Sequence, residues 1–159
     1  MGLGVPHFAA RRFSACPATL QQIRYYTHRT LEQWGLASCA GDATAIANEL
    51  VANALHHSLS SRPCHGFGWL GLMHAAGAVT CVVKDPTVDA PVLIPTDHRS
   101  PTGRGLVIVA SLSDSWGYST HGATGKTVWA RLPAVKQHST PCINGFRRSQ
   151  VTRSPEGPA

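Results

Sequence analysis

Glu49-Leu-Val-Ala-Asn53-Ala-Leu-His-His57 is the stretch on which the reading of this chain turns. A helix advances about 100° per residue, so Glu49 and Asn53, one i,i+4 step apart, project from the same side and can act on one ligand. Ala43, Ala47, Leu50 and Ala54 recur at helical spacing as a stripe suited to a core, which leaves Glu49 and Asn53 on its flank. A carboxylate and a side-chain amide beside an apolar stripe suit the binding of a hard cation and the placing of a proton acceptor. Such residues are also ordinary on the exposed flank of an amphipathic helix, so spacing alone leaves both readings open.

Outward from that stretch, Asp42 is a candidate cap for the helix, which is expected to begin near Gly41-Asp42 and to be broken by Ser58-Leu-Ser-Ser-Arg-Pro63. Before it, Val5 to Phe13 reads as a short edge strand. Thr19 to Trp34 reads as a helix, with Thr19 as cap, Ile23, Tyr26, Thr27, Thr30, Leu31 and Trp34 at helical spacing, and Gly35 as its stop. After it, His65 to His74 and Ala78 to Lys84 read as antiparallel strands joined by a turn at Ala75-Ala76-Gly77. The second strand delivers Asp85 at its end, before Pro86.

A long loop with Pro91, Pro95 and Pro101 follows, of a length typical of lids and binding loops. It leads to Gly103-Arg104-Gly105-Leu106 and a short helix through Leu112. Backbone N–H groups at such a glycine-rich helix start can cradle phosphate, with Arg104 adding charge, although structural glycines at a turn would look the same. Ser113 to Ser119 and Lys126 to Leu132 read as a closing strand pair. Gly125-Lys126-Thr127 is not a P-loop: Thr120 stands where Walker A needs its first glycine, and Val128-Trp129-Ala130 reads as strand.

The chain has 159 residues, 43% of them hydrophobic and 14% charged, enough for one well-cored domain with tails. No apolar run approaches the roughly 18 to 20 residues that span a bilayer, and the amino terminus has no signal-peptide core, so a soluble, cytoplasmic protein is expected. Five scattered cysteines without a C-x-x-C pair read as reduced thiols. His56, His57, Cys64 and His65 lie close in sequence but lack zinc-site spacing. The net charge of +6 owes much to Arg147, Arg148 and Arg153, in a Pro- and Ser-rich final segment that reads as a disordered basic tail. Nucleic-acid contact through that tail is a distant alternative, because no aromatic-basic stripe or helix-turn-helix signature accompanies the charge.

Taken in order, Glu49-Leu-Val-Ala-Asn-Ala-Leu-His-His57-Ser58, Asp85-Pro-Thr, Gly103-Arg-Gly-Leu-Val-Ile-Val, Leu112-Ser-Asp-Ser-Trp-Gly117 and Gly125-Lys-Thr-Val-Trp-Ala130 resemble the GHKL (histidine kinase-like) ATPase superfamily. More closely, they resemble its small bacterial anti-sigma-factor serine kinases and their stand-alone ATP-binding relatives. The resemblance covers roughly residues 15 to 132 and divides the chain into an N-terminal extension or edge strand (1–14), an ATP-binding domain (15–133) and the basic tail (134–159).

It implies an α/β (α+β) two-layer sandwich of the Bergerat type, with helices on one face of a mixed, largely antiparallel sheet. It also implies ATP and Mg²⁺ as ligands. Asn53 would coordinate Mg²⁺, and Glu49 would be the general base for an attacking serine hydroxyl or water. Asp85 would accept a hydrogen bond from the adenine amine. Gly103, Arg104, Gly105 and Leu106 would lie at the phosphates, Thr127 would close the adenine end, and His57 matches the family histidine. Where the wider superfamily has D-x-G-x-G, this chain has Asp85-Pro-Thr-Val-Asp89, similar to the Asp-Pro form of the stand-alone relatives. The implied function is a serine/threonine kinase acting on an anti-sigma-factor antagonist, with a sigma factor as a further partner and a homodimer as the assembly. A nucleotide-gated interaction module without phosphoryl transfer is the alternative.

Overall fold

The computed structural model describes residues 5–56, 66–86 and 104–135, the Arg104 side chain excepted. The strand β1 (His7–Ser14) is followed by helices α1 (Thr19–Gln33) and α2 (Ala37–Ala54), then by the hairpin β2 (Phe67–Ala75) and β3 (Ala78–Asp85). Helix α3 (Arg104–Leu112), β4 (Ser115–Thr120), a single helical turn at Gly122–Thr124 and β5 (Lys126–Pro133) complete the order. Among the described residues the five strands form one sheet, β1-β2-β3-β5-β4, antiparallel at every pairing. This is the α+β arrangement expected, with β1 as an edge strand.

Alternation along the strands separates the two faces. Leu70, Leu72, Val79, Cys81, Val83, Val128, Ala130 and Leu132 are buried with Ile46, Leu50 and Val51 of α2 and Leu31 of α1 in one core. Phe8, Phe67, Trp69 and Met73 lie on the opposite, solvent-facing side. Helix α2 can approach the sheet closely because Ala40, Ala43 and Ala47 are small and fully buried, and the Cys81 thiol reaches the Ala43 carbonyl at 3.7 Å.

Local chemistry accounts for most boundaries. Gly35, at φ 74°, ends α1, and its N–H bonds to the Glu32 carbonyl while Leu36 N–H bonds to that of Leu31, a Schellman closure that favours glycine. Ala76 and Gly77, at φ 50° and 70°, form the two-residue turn between β2 and β3, whose twist suits a hairpin. Two expectations are corrected. Helix α2 starts at Ala37, not near Asp42, because Cys39 and Ala40 are drawn into the core and only Trp34, Gly35 and Leu36 separate it from α1. Thr19 does not cap α1; its hydroxyl donates to the Ser14 carbonyl at 2.6 Å and ties the helix start to β1. The proline-rich loop and the basic tail from 136 onward lie outside the described residues.

Burial pushes the Cys81 thiol up to about 12, with the neighbouring Cys39 adding to the effect, whereas Cys16 is exposed. Alkylation near neutral pH, read per site by mass spectrometry, is expected to label Cys16 quickly and Cys81 only at the rate of unfolding. Because the folded thiol keeps its proton up to about 12 and the ordinary value is 9.0, this group's contribution to stability is complete below 9.0 and falls as pH rises toward 12.

Candidate ATP-binding site

The α2 stripe of Ala43, Ala47, Leu50 and Ala54 faces the core, as its spacing requires, and this turns Glu49 and Asn53 to the half-buried flank. The Asn48 amide donates to Glu49 Oε1 at 3.4 Å and its carbonyl accepts from Arg24 of α1 at 3.0 Å. Arg24 and Asn48 thus support the carboxylate from behind. Sequence spacing gave no signal for this link, which joins two helices across 24 residues.

Gly105, in the first turn of α3, lies against this pair. A Cβ added there would stand 2.8 Å from Glu49 Oε2 and 3.5 Å from Asn53 Oδ1, so a side chain at this position would displace the Glu49 carboxylate. The first turn of a helix carries N–H groups without intrahelical acceptors and the positive end of the helix dipole. The fold therefore sets the N-terminal turn of α3, the kind of helix end at which anions bind, beside an anionic oxygen and a neutral amide oxygen. Among the described residues no three His, Cys, Asp or Glu side chains gather into a metal cage. Magnesium does not need one, since it typically takes one or two protein oxygens and completes its shell with phosphate and water. The donor set of Glu49 and Asn53 and the glycine cradle opposite them fit Mg²⁺ and a polyphosphate.

Leu106 is buried in the core. Gly103, His57 and the Arg104 side chain lie outside the described residues.

Asp85 ends β3 on the helix-covered face, in alternation with Val79, Cys81 and Val83, and is 2% exposed. Directly opposite on β5 is Lys126, whose Nζ lies 3.4 Å from Asp85 Oδ2. Gly125 makes this possible. At φ 113° and ψ −160° it occupies backbone space essentially reserved for glycine, and a Cβ would overlap the Asp85 carbonyl oxygen and crowd Pro86 Cα at 2.9 Å. Lys126 enters a strand, not a helix, in keeping with the rejection of a P-loop.

Thr127 is not brought to the Asp85 carboxylate. One residue on from Lys126, it points to the other side of β5, where its hydroxyl is 3.0 Å from His121 Nε2. Lys126 is the residue that sequence reasoning missed here. Which of two adjacent residues shares a face with Asp85 follows from strand register, and a one-residue shift exchanges them.

A cavity of about 330 Å³ is lined by Phe67, Trp69, Lys84, Asp85, Pro86 and Thr124 at the ends of β2 and β3. Neither Glu49, Asn53 nor Gly105 lines it, so it is separate from the α2–α3 contact.

No individual curated protein matches the sequence. Residues 13–132, well over half of the chain, match the histidine kinase-like ATPase domain, a span that runs from the end of β1 almost to the end of β5 and takes in Glu49, Asn53, Asp85, Gly105 and Lys126. With an α+β fold that has, among the described residues, three helices on a five-stranded antiparallel sheet, the chain belongs to the histidine kinase-like ATPase domain family.

Proposed function

We propose that the domain binds Mg·ATP between α2 and the start of α3 and transfers the γ-phosphoryl group to a serine or threonine of a protein antagonist, as an anti-sigma-factor-type kinase. The observation that carries this reading is the packing of Gly105 against both Glu49 and Asn53. Family membership supports ATP as the ligand. The resemblance of the Glu49–Ser58, Asp85-Pro-Thr and Gly125–Ala130 segments to the small serine kinases supports the choice of acceptor and makes a sigma factor and its antagonist the candidate partners.

Asn53 Oδ1 offers a neutral oxygen to Mg²⁺, and Glu49, supported by Asn48, offers the proton acceptor. The metal, when bound, neutralises charge on the phosphate oxygens. The acceptor hydroxyl gives its proton to the Glu49 carboxylate as its oxygen bonds to the γ-phosphorus, and the bond from that phosphorus to the bridging oxygen breaks to release ADP. The α3 amides beside Gly105 hold the phosphate oxygens in line. Asp85 accepts a hydrogen bond from the adenine amine.

Glu49→Gln keeps the shape and removes the base. Transfer of labelled phosphate to an anti-sigma-factor antagonist protein is expected to fall by about 100-fold or more while ATP affinity changes less than about threefold. If the wild type binds ATP yet transfers no phosphate, the domain is instead a nucleotide-gated interaction module.

A further inference from the structure

The face of the sheet turned away from the helices carries a surface that the α2–α3 site does not use. Alternation places Phe8 and Arg12 of β1, Phe67, Trp69 and Met73 of β2 and Lys84 of β3 on it, and all six residues are exposed. No run of the sequence interleaves aromatic and basic residues, but strand register builds such a row: Trp69 pairs with Arg12 on one side and with Lys84 on the other. Arg12 also lies over the Phe67 ring, 4.7 Å from its centroid, a stacking that uses the flat face of the guanidinium and not its in-plane N–H donors. Among the described residues, neither Arg12 nor Lys84 has a carboxylate partner; the ion pairs are made by other cations.

The cavity of about 330 Å³ belongs to this row, since Phe67, Trp69 and Lys84 are among its walls. Aromatic walls take a planar group by stacking, and cations at their edge take negative charge. A single strand of nucleic acid offers both at every nucleotide, whereas a duplex keeps its base faces stacked on one another. A protein partner fits less well. The core of a protein–protein interface is depleted of lysine, and here Lys84 adjoins Trp69 in the middle of the patch. We propose that this face of the sheet binds single-stranded nucleic acid, with a base stacked in the Phe67–Trp69 cavity and neighbouring phosphates on Arg12 and Lys84. Stacking reads no base edge, so the site takes strands of differing sequence and draws its affinity from charge and ring contact. It does not depend on the nucleotide site between α2 and α3.

The test uses the full-length chain and a fluorescein-labelled oligo-dT strand of about 15 nucleotides, read by fluorescence anisotropy. Trp69→Ala is expected to weaken binding about tenfold or more and Trp69→Phe to keep most of it. Lys84→Gln should reduce the slope of log affinity against log salt by about 0.7, the loss of one phosphate contact on a single strand. Urea midpoints verify that the variants fold, and if Trp69→Ala does not, Trp69→Phe and the Lys84→Gln slope decide. Wild-type affinity and slope in the Trp69 and Lys84 variants would overturn the proposal and move the contact to other cations, the C-terminal arginines among them. A duplex of the same length that binds equally well would also overturn it, because charge alone would then suffice. Displacement of the strand by excess Mg·ATP would do the same by assigning it to the nucleotide site. No binding by the wild type at about 50 mM salt would overturn it too. Dissociation of a wild-type dimer by Trp69→Ala, read by sedimentation, would then give the face to a second copy of the chain.

Discussion

Asn53→Ala is expected to weaken Mg²⁺-dependent ATP binding by roughly 10- to 100-fold while leaving the weaker, metal-free binding and the urea midpoint nearly unchanged. The reason is position. Asn53 stands on the half-buried flank of α2, one turn from Glu49, with Oδ1 turned toward the space beside Gly105. Its loss removes the oxygen proposed to meet the metal and no part of the α2 core stripe, which is carried by Ala43, Ala47, Leu50 and Ala54. A charge-assisted contact of about 1.5–3 kcal/mol corresponds to that fold-change. Titration calorimetry with and without chelator, paired with urea denaturation, separates loss of metal coordination from loss of fold. An affinity that drops equally in both conditions would show that Asn53 acts without the metal.

Gly125→Ala is expected to be the most destabilising glycine-to-alanine change among the described residues, at about 3–6 kcal/mol, from backbone strain at a glycine-only conformation together with overpacking. Relief by side-chain rotation is not available, since the atoms in the way are the Asp85 carbonyl and the Pro86 Cα, both backbone. The β3–β5 ladder would have to part where Asp85 meets Lys126, exposing or unpairing two buried charges. Against a total stability of about 5–15 kcal/mol, that is enough to unfold a large share of molecules at 37 °C. Urea melts read by tryptophan fluorescence, to which the buried Trp116 contributes, would measure it. Gly77→Ala, at φ 70° but with nothing within 4 Å of the added methyl, is the control and should cost less.

Much of the scaffold could be read from residue order. Gly35 announced the end of α1, the Ala76-Gly77 turn announced the β2–β3 hairpin, and the apolar stripe on α2 predicted which flank carries Glu49 and Asn53. These are local features, governed by backbone freedom and helical period. The start of α2 was not local: nothing at Ala37 marks a helix cap, and burial of Cys39 and Ala40 extends the helix back past Asp42. The Thr19 hydroxyl could have capped its own helix, and it found the Ser14 carbonyl instead.

The site divides in the same way. Its segments could be recognised one by one, but the contact of Gly105 with Glu49 joins elements more than fifty residues apart and is visible only in three dimensions. That Lys126, and not Thr127, stands beside the Asp85 carboxylate is a matter of register. Motif order places Gly125-Lys126-Thr127 near Asp85, and the bend at Gly125 then decides which side chain turns toward the helices. The support of Glu49 by Arg24 through Asn48 depends on how α1 packs on α2, which no single helix encodes.

Titration of the wild-type chain with ATP, in the presence and absence of Mg²⁺, addresses the central claim most directly. The arrangement of Glu49, Asn53 and the α3 amides at Gly105 predicts saturable binding of one ATP per chain, strengthened by the metal. No binding at ATP concentrations up to about 1 mM, where even an interaction of about 4 kcal/mol would register, would contradict it.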